Sequence, residues 1–368
     1  MLYYNFTLFI LFILSLFETS LKKEKLFINI LSLIILIYLV IQVGFRWETG
    51  TDWNSYLNHF TNISLENFTD ATEGFYEVGY NIFVLTCKLI SNSYSFFLVI
   101  HSLLFYILIF KSFKYFTPNI FLCLLLFYAL NLGLLGSNRQ LLALAIGFYS
   151  LRFIIKSWNF TFLLFIIIAS FFHISAILFL IYYFLKNKIS LFNLLALFTI
   201  AATIGFLIMP KVFNLEFSFL PAGYTLMKLL TYLEKSETTT FVYPIFGLLK
   251  RTIIVSYFLI NRSKFSKYNP LFNIVLNGYL IGILFFLLFS YTIPLMISRG
   301  SIYFNIMEPI LLSYIILLYK DMYIKYLIII LLTIFSFLLL SQSISPYKDL
   351  FDPYKGLFIN NSYNRVLY

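Results

Sequence analysis

The chain has 368 residues, 61% of them hydrophobic and 11% charged, with a formal net charge of +11. A soluble domain carries about a quarter charged residues, and a β-barrel alternates apolar and polar residues; the continuous apolar runs here exclude both. What remains is an all-α polytopic integral membrane helix bundle, whose positive charge sits in short loops and so implies no nucleic acid partner.

A spanning helix needs about 20 apolar residues. Runs of that kind lie at Leu2–Phe17, Leu26–Val43, Tyr94–Phe110, Asn119–Leu135, Gln140–Ile155 and Leu191–Met209. They continue at Phe241–Ile260, Leu271–Phe289, Ser301–Tyr319 and Tyr326–Ser341. The opening run lacks a basic leader and a small-residue cleavage site, so it reads as a retained helix. Phe160–Leu185 is too long for one ordinary helix and short for two. It reads as two short helices meeting near His173, which brings the expected total to about twelve transmembrane helices in one domain.

Lysine and arginine set the orientation. Lys22, Lys23 and Lys25 share a loop, as do Lys111 with Lys114, Lys186 with Lys188, Arg262 with Lys264 and Lys267, and Lys320 with Lys325. With Lys156, all fall on one side, the cytoplasmic one. Both termini then face outward, with outer loops 44–93 and 210–240 and an outer tail 342–368. Glu48, Asp52, Glu66, Asp70, Glu73, Glu77, Glu216, Glu234 and Glu237 also fall outside. This parity requires Phe160–Leu185 to be a hairpin. Glu77–Ile90 is too short and polar to span and is expected along the interface.

The densest chemistry lies in Gly44–Phe60, which holds Arg46, Glu48, Asp52, Tyr56 and His59. Asp52, Tyr56 and His59 are spaced to share one face of a helix starting near Thr51. A polar loop leaving a membrane, with Trp47 and Trp53 as interfacial anchors, gives the same pattern. Three further clusters fall on the same side: Ser137-Asn138-Arg139-Gln140, before a helix with a small Ala143/Gly147 face; Phe172-His173-Ile174-Ser175; and Ser298-Arg299-Gly300, with Tyr303 one turn on. Outward arginines run against the positive-inside trend. Each is either a snorkelling residue or a fork of donors for phosphate or carboxylate. Arg46, Arg139 and Arg299 together suit a pyrophosphate.

Of the three histidines, His101 lies in an apolar span and reads as structural, His59 as loop surface, and His173 as functional. Cys87 and Cys123 are far apart, with neither metal spacing nor a disulfide framework. Lys250 and Arg251 lie inside an apolar run, where each charge costs about 2.5–3.5 kcal/mol at the bilayer centre. Glu308 lies at comparable depth, so a Glu308–Lys250 or Glu308–Arg251 pair is expected.

At these residues the chain resembles the EpsG-type membrane proteins of bacterial polysaccharide synthesis, which include many O-antigen polymerases (Wzy). FRWETGTDWNSY resembles that family's R-x-x-G-x-D-x-x-x-Y loop, and EGFYEVGYNIF its acidic, aromatic segment. SNRQLLALAIGFYSL resembles its R-Q helix, ASFFHISAILFL its A-x-x-x-H-x-S segment, and SRGSIYFNI its late Arg-plus-YF helix. The series runs in order from Arg46 to Ile306. The resemblance implies a metal-independent glycosyl transfer, without cofactor, at the outer face of the bacterial cytoplasmic membrane. The partners it implies are undecaprenyl-diphosphate-linked glycans as donor and acceptor, membrane lipid, and a chain-length regulator. Arg46, Arg139 and Arg299 would hold the diphosphate, with Gln140, Tyr303 and Arg251 as further substrate contacts. Asp52, Glu77 and His173 are the candidates for base. A lipid-linked oligosaccharide flippase, a membrane acyltransferase and a non-polymerising glycosyltransferase are the competing readings.

Overall fold

The computed structural model describes residues 1–21, 24–68, 76–209 and 242–365. The described residues are helical, with isolated bridges in place of strands. The expected loop 210–240, with Glu216, Glu234 and Glu237, lies outside them, as do Lys22, Lys23, Asp70 and Glu73. Two compact units emerge, Met1–Leu180 with Leu312–Tyr368, and Ile181–Leu311.

In the first unit α1 (Leu2–Ser20) and α2 (Lys25–Gly44) match the first two apolar runs to within a few residues. The burial pattern of α2 is that of a helix facing lipid. Leu33, Ile34, Ile37 and Ile41 are exposed, while Ser32 and Gln42 point inward. A short amphipathic α3 (Trp53–Asn62) and α4 (Val78–Ile90) precede α5 (Tyr94–Phe116) and α6 (Ile120–Asn131). Next come α7 (Asn138–Ile155) and α8 (Asn159–Phe172). Helix α7 packs between α5 and α8, and α1 packs with α6 and the late α16 (Met322–Ile344).

Two buried features tie this unit together. The Glu18 carboxylate accepts the backbone N–H groups of Ile120 and Phe121 at 2.9 and 3.0 Å. These are orphan donors of the first turn of α6, where a negative charge also meets the positive end of the helix dipole. The second is the chain's C-terminal segment. It leaves α16, passes through a 3-10 turn, Ser345–Tyr347, and α17 (Lys348–Phe351), and lies against the loop after α2. Trp47 N–H donates to Lys355 O, and Leu357 N–H donates to Phe45 O. Lys355 pairs with Glu48, and the N-terminal ammonium pairs with Asp352. The tail read as a polar extension is thus a packed part of the unit.

In the second unit α9 (Leu191–Thr203), α10 (Val242–Ile260) and α11 (Arg262–Tyr268) are followed by α12 (Phe272–Phe289), against which α9 and α10 pack. A short α13 (Pro294–Gly300) precedes the run Ser301–Tyr319, expected as one span, which is broken into α14 (Ile302–Asn305) and α15 (Met307–Tyr314), then a 3-10 turn, Ile315–Leu318.

Six described helices are long and apolar enough to cross a membrane: Leu2–Ser20, Lys25–Gly44, Tyr94–Phe116, Leu191–Ile208, Phe272–Phe289 and Met322–Phe351. Val78–Ile90, Ile120–Leu134, Asn159–Phe172, Ile174–Phe184 and Ile302–Leu318 are apolar but shorter.

Candidate functional site

The site is assembled by two interlocked turns. Gly50 and Gly136 both have positive φ, +103° and +111°. A Cβ on Gly50 would lie 2.3 Å from Leu135 O, and one on Gly136 would lie 2.2 Å from Thr51 O. Only glycine permits both the left-handed backbone and the approach. Thr51 N–H donates to Leu135 O across the contact. The loop after α2 is thereby fixed against the start of α7.

Arg46 completes that junction. It is 1% exposed. Its Nη1 donates to Val43 O at 2.7 Å and its Nη2 to Asn138 Oδ1 at 2.8 Å. Burial holds its pKa below the usual arginine range, with Tyr94 and Tyr354 opposing. No carboxylate pairs with it among the described residues. The sequence reading makes Arg46 a phosphate ligand; in the structure two of its donors serve the chain. His101 adds to the same junction, its Nε2 2.8 Å from Asn138 O, which fits the structural role expected for it.

Arg139 follows Asn138 directly and faces the opposite group of residues. Its Nη1 donates to Glu77 Oε2 at 2.6 Å and its Nε to the Tyr56 hydroxyl at 3.4 Å. Its guanidinium lies 4.7 Å from the Tyr76 ring centroid, a cation–π distance. Tyr56 comes from α3, Glu77 caps α4, and Arg139 opens α7. Of the expected helical face, Tyr56 and His59 lie on α3 and both meet the Tyr76 ring, whereas Asp52 stands before the helix at its N-cap position. Asp52 is exposed and has a left-handed backbone, φ 51°. Gln140 is buried at the start of α7.

His59 departs from its expected place on the loop surface. It stacks on Tyr76 with centroids 4.0 Å apart. Burial pushes its pKa down to about 4, opposed by a hydrogen bond to Asn81 and reinforced by Arg139 and Lys88. Tyr76 is pushed up to about 12 by burial and by Tyr56, with Arg139 acting against the shift. Tyr76, Tyr80 and Asn81 form the aromatic and polar wall, with Tyr80 fully buried. The EGFYEVGYNIF stretch carried that signal, but sequence alone gave no means of choosing among its side chains.

His173 ends α8 with an extended backbone, and a 3-10 segment, Ile174–Phe184, follows. Ile174 N–H donates to Glu77 Oε1 at 3.4 Å, beside Arg139. Five residues later the Phe179 ring lies where a Cβ on Gly147 would stand, 2.2 Å away. The segment therefore runs back along α7, and the chain reverses at His173. The His173 Nδ1 lies 2.6 Å from Ser175 Oγ.

The remaining sequence candidates lie in the second unit. Lys250 pairs with Glu308 at 2.8 Å, one of the two partners expected. Arg251 instead donates to Gly247 O and lies over the Phe286 ring at 4.0 Å. Arg299 is half-buried in the last turn of α13. Tyr303, expected to touch substrate, is completely buried, and its carbonyl accepts the Tyr182 hydroxyl. Hydrophobic burial one turn beyond Arg299 places that ring in the core of its unit.

An all-α chain with several membrane-length apolar helices and a buried, ion-paired arginine walled by tyrosines defines a multi-pass membrane protein with a polar site in one helical unit. The EpsG family model matches residues 29–355, which is most of the chain, and the protein belongs to the EpsG family. That membership and the membrane-helical fold fit a polysaccharide polymerase. No curated protein and no solved structure matches the chain.

Proposed function

We propose that the protein is a polysaccharide polymerase that transfers a glycan chain from undecaprenyl diphosphate to a lipid-linked repeat unit. On this reading it is a metal-independent glycosyltransferase of O-antigen or exopolysaccharide synthesis. It lies in the bacterial cytoplasmic membrane, with about twelve spans by hydropathy and the reaction at the outer face. One observation carries the reading. Four stretches of sequence that bear the resemblance, far apart in the chain, are joined by three contacts: Arg46 to Asn138, Arg139 to Glu77, and Glu77 to Ile174.

The chemistry suits those groups. An acceptor hydroxyl oxygen attacks the anomeric carbon, the bond from that carbon to the diphosphate breaks, and the hydroxyl proton passes to a base. Negative charge builds on the departing lipid diphosphate, where a preorganised arginine stabilises it. Arg139 is assigned that role, with Arg46 holding the helix start that carries it. Arg299 is assigned to anion binding by its sequence motif alone. Glu77 has both oxygens engaged, one by Arg139 and one by Ile174 N–H. The exposed Asp52 is the better base.

Deleting the gene and sizing the surface glycan on a gel tests the reading. A polymerase defect collapses the ladder to a single repeat unit. A flippase defect removes that unit as well. A normal ladder in a strain with no second copy rejects the polymerase.

A further inference from the structure

The loop that leaves α2 owes its shape to a distant part of the chain. Residues 45–52 form no helix of their own, yet they turn Arg46 inward and Asp52 out to solvent. Glu48 and Asp52 hold left-handed backbones, φ 44° and 51°, which non-glycine residues keep only where their surroundings hold them. One side of the loop is held by the turn before α7, where Thr51 N–H donates to Leu135 O at 3.1 Å. The other side is held by residues 350–357. Trp47 N–H donates to Lys355 O at 2.9 Å, Gly50 N–H to Leu350 O at 3.1 Å, and the Thr49 hydroxyl to Lys355 O at 3.0 Å. In return Leu357 N–H donates to Phe45 O at 3.0 Å. Lys355 is 4% exposed, and its ammonium pairs with the Glu48 carboxylate. Lysine is almost never so enclosed without a partner, so the pair fixes the Glu48 side chain along with the backbone.

The segment is tied in turn to two long helices. The Tyr354 hydroxyl donates to Gln42 O in the last turn of α2 at 2.7 Å, and the Tyr4 hydroxyl of α1 donates to Phe351 O at 3.0 Å. The Tyr354 ring stacks on Tyr3 with centroids 4.2 Å apart. The segment thus carries the position of α1 and α2 to the loop, and its contact at Gly50 falls two residues before Asp52.

We propose that residues 350–357 act as a strap that positions Asp52 for the transfer, with Lys355 as the positioning residue that locks the strap to the loop through Glu48. This rests on the polymerase reading above, in which Asp52 is the base. The acceptor oxygen bonds the anomeric carbon, the bond from that carbon to the diphosphate breaks with its electron pair going to the diphosphate, and the hydroxyl proton ends on Asp52. Lys355 touches none of these atoms and acts only through the loop. A base works only within hydrogen-bond reach of its proton, and a displacement of about 1 Å can cost about 10²-fold in rate. A slack strap therefore slows turnover and leaves substrate binding, assigned to Arg139, in place.

Two measurements test this on the full chain in lipid nanodiscs, with Lys355→Met, which keeps the apolar stem and removes the ammonium. The first follows elongation at a series of concentrations of the single repeat unit on undecaprenyl diphosphate, isolated from the gene-deletion strain. At equal folded protein, kcat is expected to fall about 10- to 100-fold with KM within about twofold of the wild type. An unchanged kcat, or a rise in KM that accounts for the whole loss, overturns the proposal. The second is hydrogen exchange read by mass spectrometry. Peptides covering 45–52 are expected to exchange faster in the variant, while those covering 142–154 of α7 keep the wild-type rate. Unchanged exchange over 45–52 overturns the proposal, as does faster exchange over both stretches. Where Lys355→Met does not accumulate as folded protein, Glu48→Gln with Lys355→Met, which strands no charge, is measured with the same expectations. Failure of both to fold assigns the strap to folding alone and overturns its positioning role. An absence of elongation by the wild-type protein instead rejects the polymerase reading, and exchange over 45–52 then decides whether the strap sets the loop.

Discussion

Breaking the Glu77–Arg139 pair from its two sides should give opposite orders for stability and for activity. The two side chains are unequally covered, Arg139 9% exposed and Glu77 22%. Removing one partner of a fully buried pair costs about 3–5 kcal/mol, because the other charge is stranded. Glu77→Gln strands the better buried cation. The Tyr56 oxygen and the Tyr76 ring still face it, so the cost falls to about 2–3 kcal/mol. Arg139→Gln strands a carboxylate that reaches solvent and keeps the Ile174 N–H, and should cost about 1–2 kcal/mol. Thermal unfolding in detergent, followed by size exclusion, should therefore rank Glu77→Gln as the less stable. Elongation per folded molecule should rank the other way, since only Arg139→Gln removes the charge proposed to meet the diphosphate. If activity per folded molecule follows the stability order, Arg139 is a structural residue and the phosphate assignment is wrong.

Lys250→Gln should destabilise more than Glu308→Gln, since Glu308 is 3% exposed at its side chain and Lys250 26%; a double-mutant cycle should show coupling of Glu308 to Lys250 and none to Arg251. His59 gives a pH dependence. With its folded pKa near 4 against an ordinary value of about 6.5, the unfolded chain binds more protons between those values. Stability is then fully present above pH 6.5 and falls by about 2–3 kcal/mol as pH drops toward 4; His59→Phe should flatten that part of an acid unfolding profile, and an unchanged profile would refute the assignment. Arg46→Lys and Asn138→Ala should each lower folding stability by about 1–3 kcal/mol and be non-additive when combined, because one nitrogen cannot reach both Val43 O and Asn138 Oδ1; simple additivity in thermal unfolding would dissolve the link.

What the sequence revealed follows from period and local composition. The apolar runs give α1, α2 and α12 nearly to the residue, because a helix in lipid must be apolar along its length. The spacing of Tyr56 and His59 gives one face of α3, though not the left-handed backbone that leaves Asp52 outside it, and the length of Phe160–Leu185 gives the break at His173. The depth of two opposite charges in apolar runs gives Lys250–Glu308, though not the choice of Lys250 over Arg251. That choice depends on how α10 is rotated, and a run apolar on all sides carries no signal of rotation. The Glu18 cap on α6 and the packing of Lys355 and Leu357 on the loop after α2 join residues about a hundred or three hundred positions apart. No periodicity records such contacts.

The three arginines expected to face outward look alike in sequence, and the fold separates the first two. Arg46 and Arg139 flank the same turn of α7, and their donors point to different acceptors. Arg46 gives its fork to a carbonyl and to Asn138, in a shell of tyrosines with no paired acid among the described residues. A cation so enclosed is costly, and its hydrogen bonds to the two segments favour their closure: the loop after α2 and the start of α7 must come together to satisfy it. Arg139, one residue beyond, has its charge answered by Glu77 and its plane set by Tyr76. Glu77 in turn receives the N–H that follows His173. The ion pair therefore sits between the aromatic wall and the histidine turn, and on the polymerase reading a lipid diphosphate drawn to Arg139 would compete with Glu77 for the same guanidinium. Any such competition would be felt at Ile174, whose N–H donates to the other oxygen of that carboxylate.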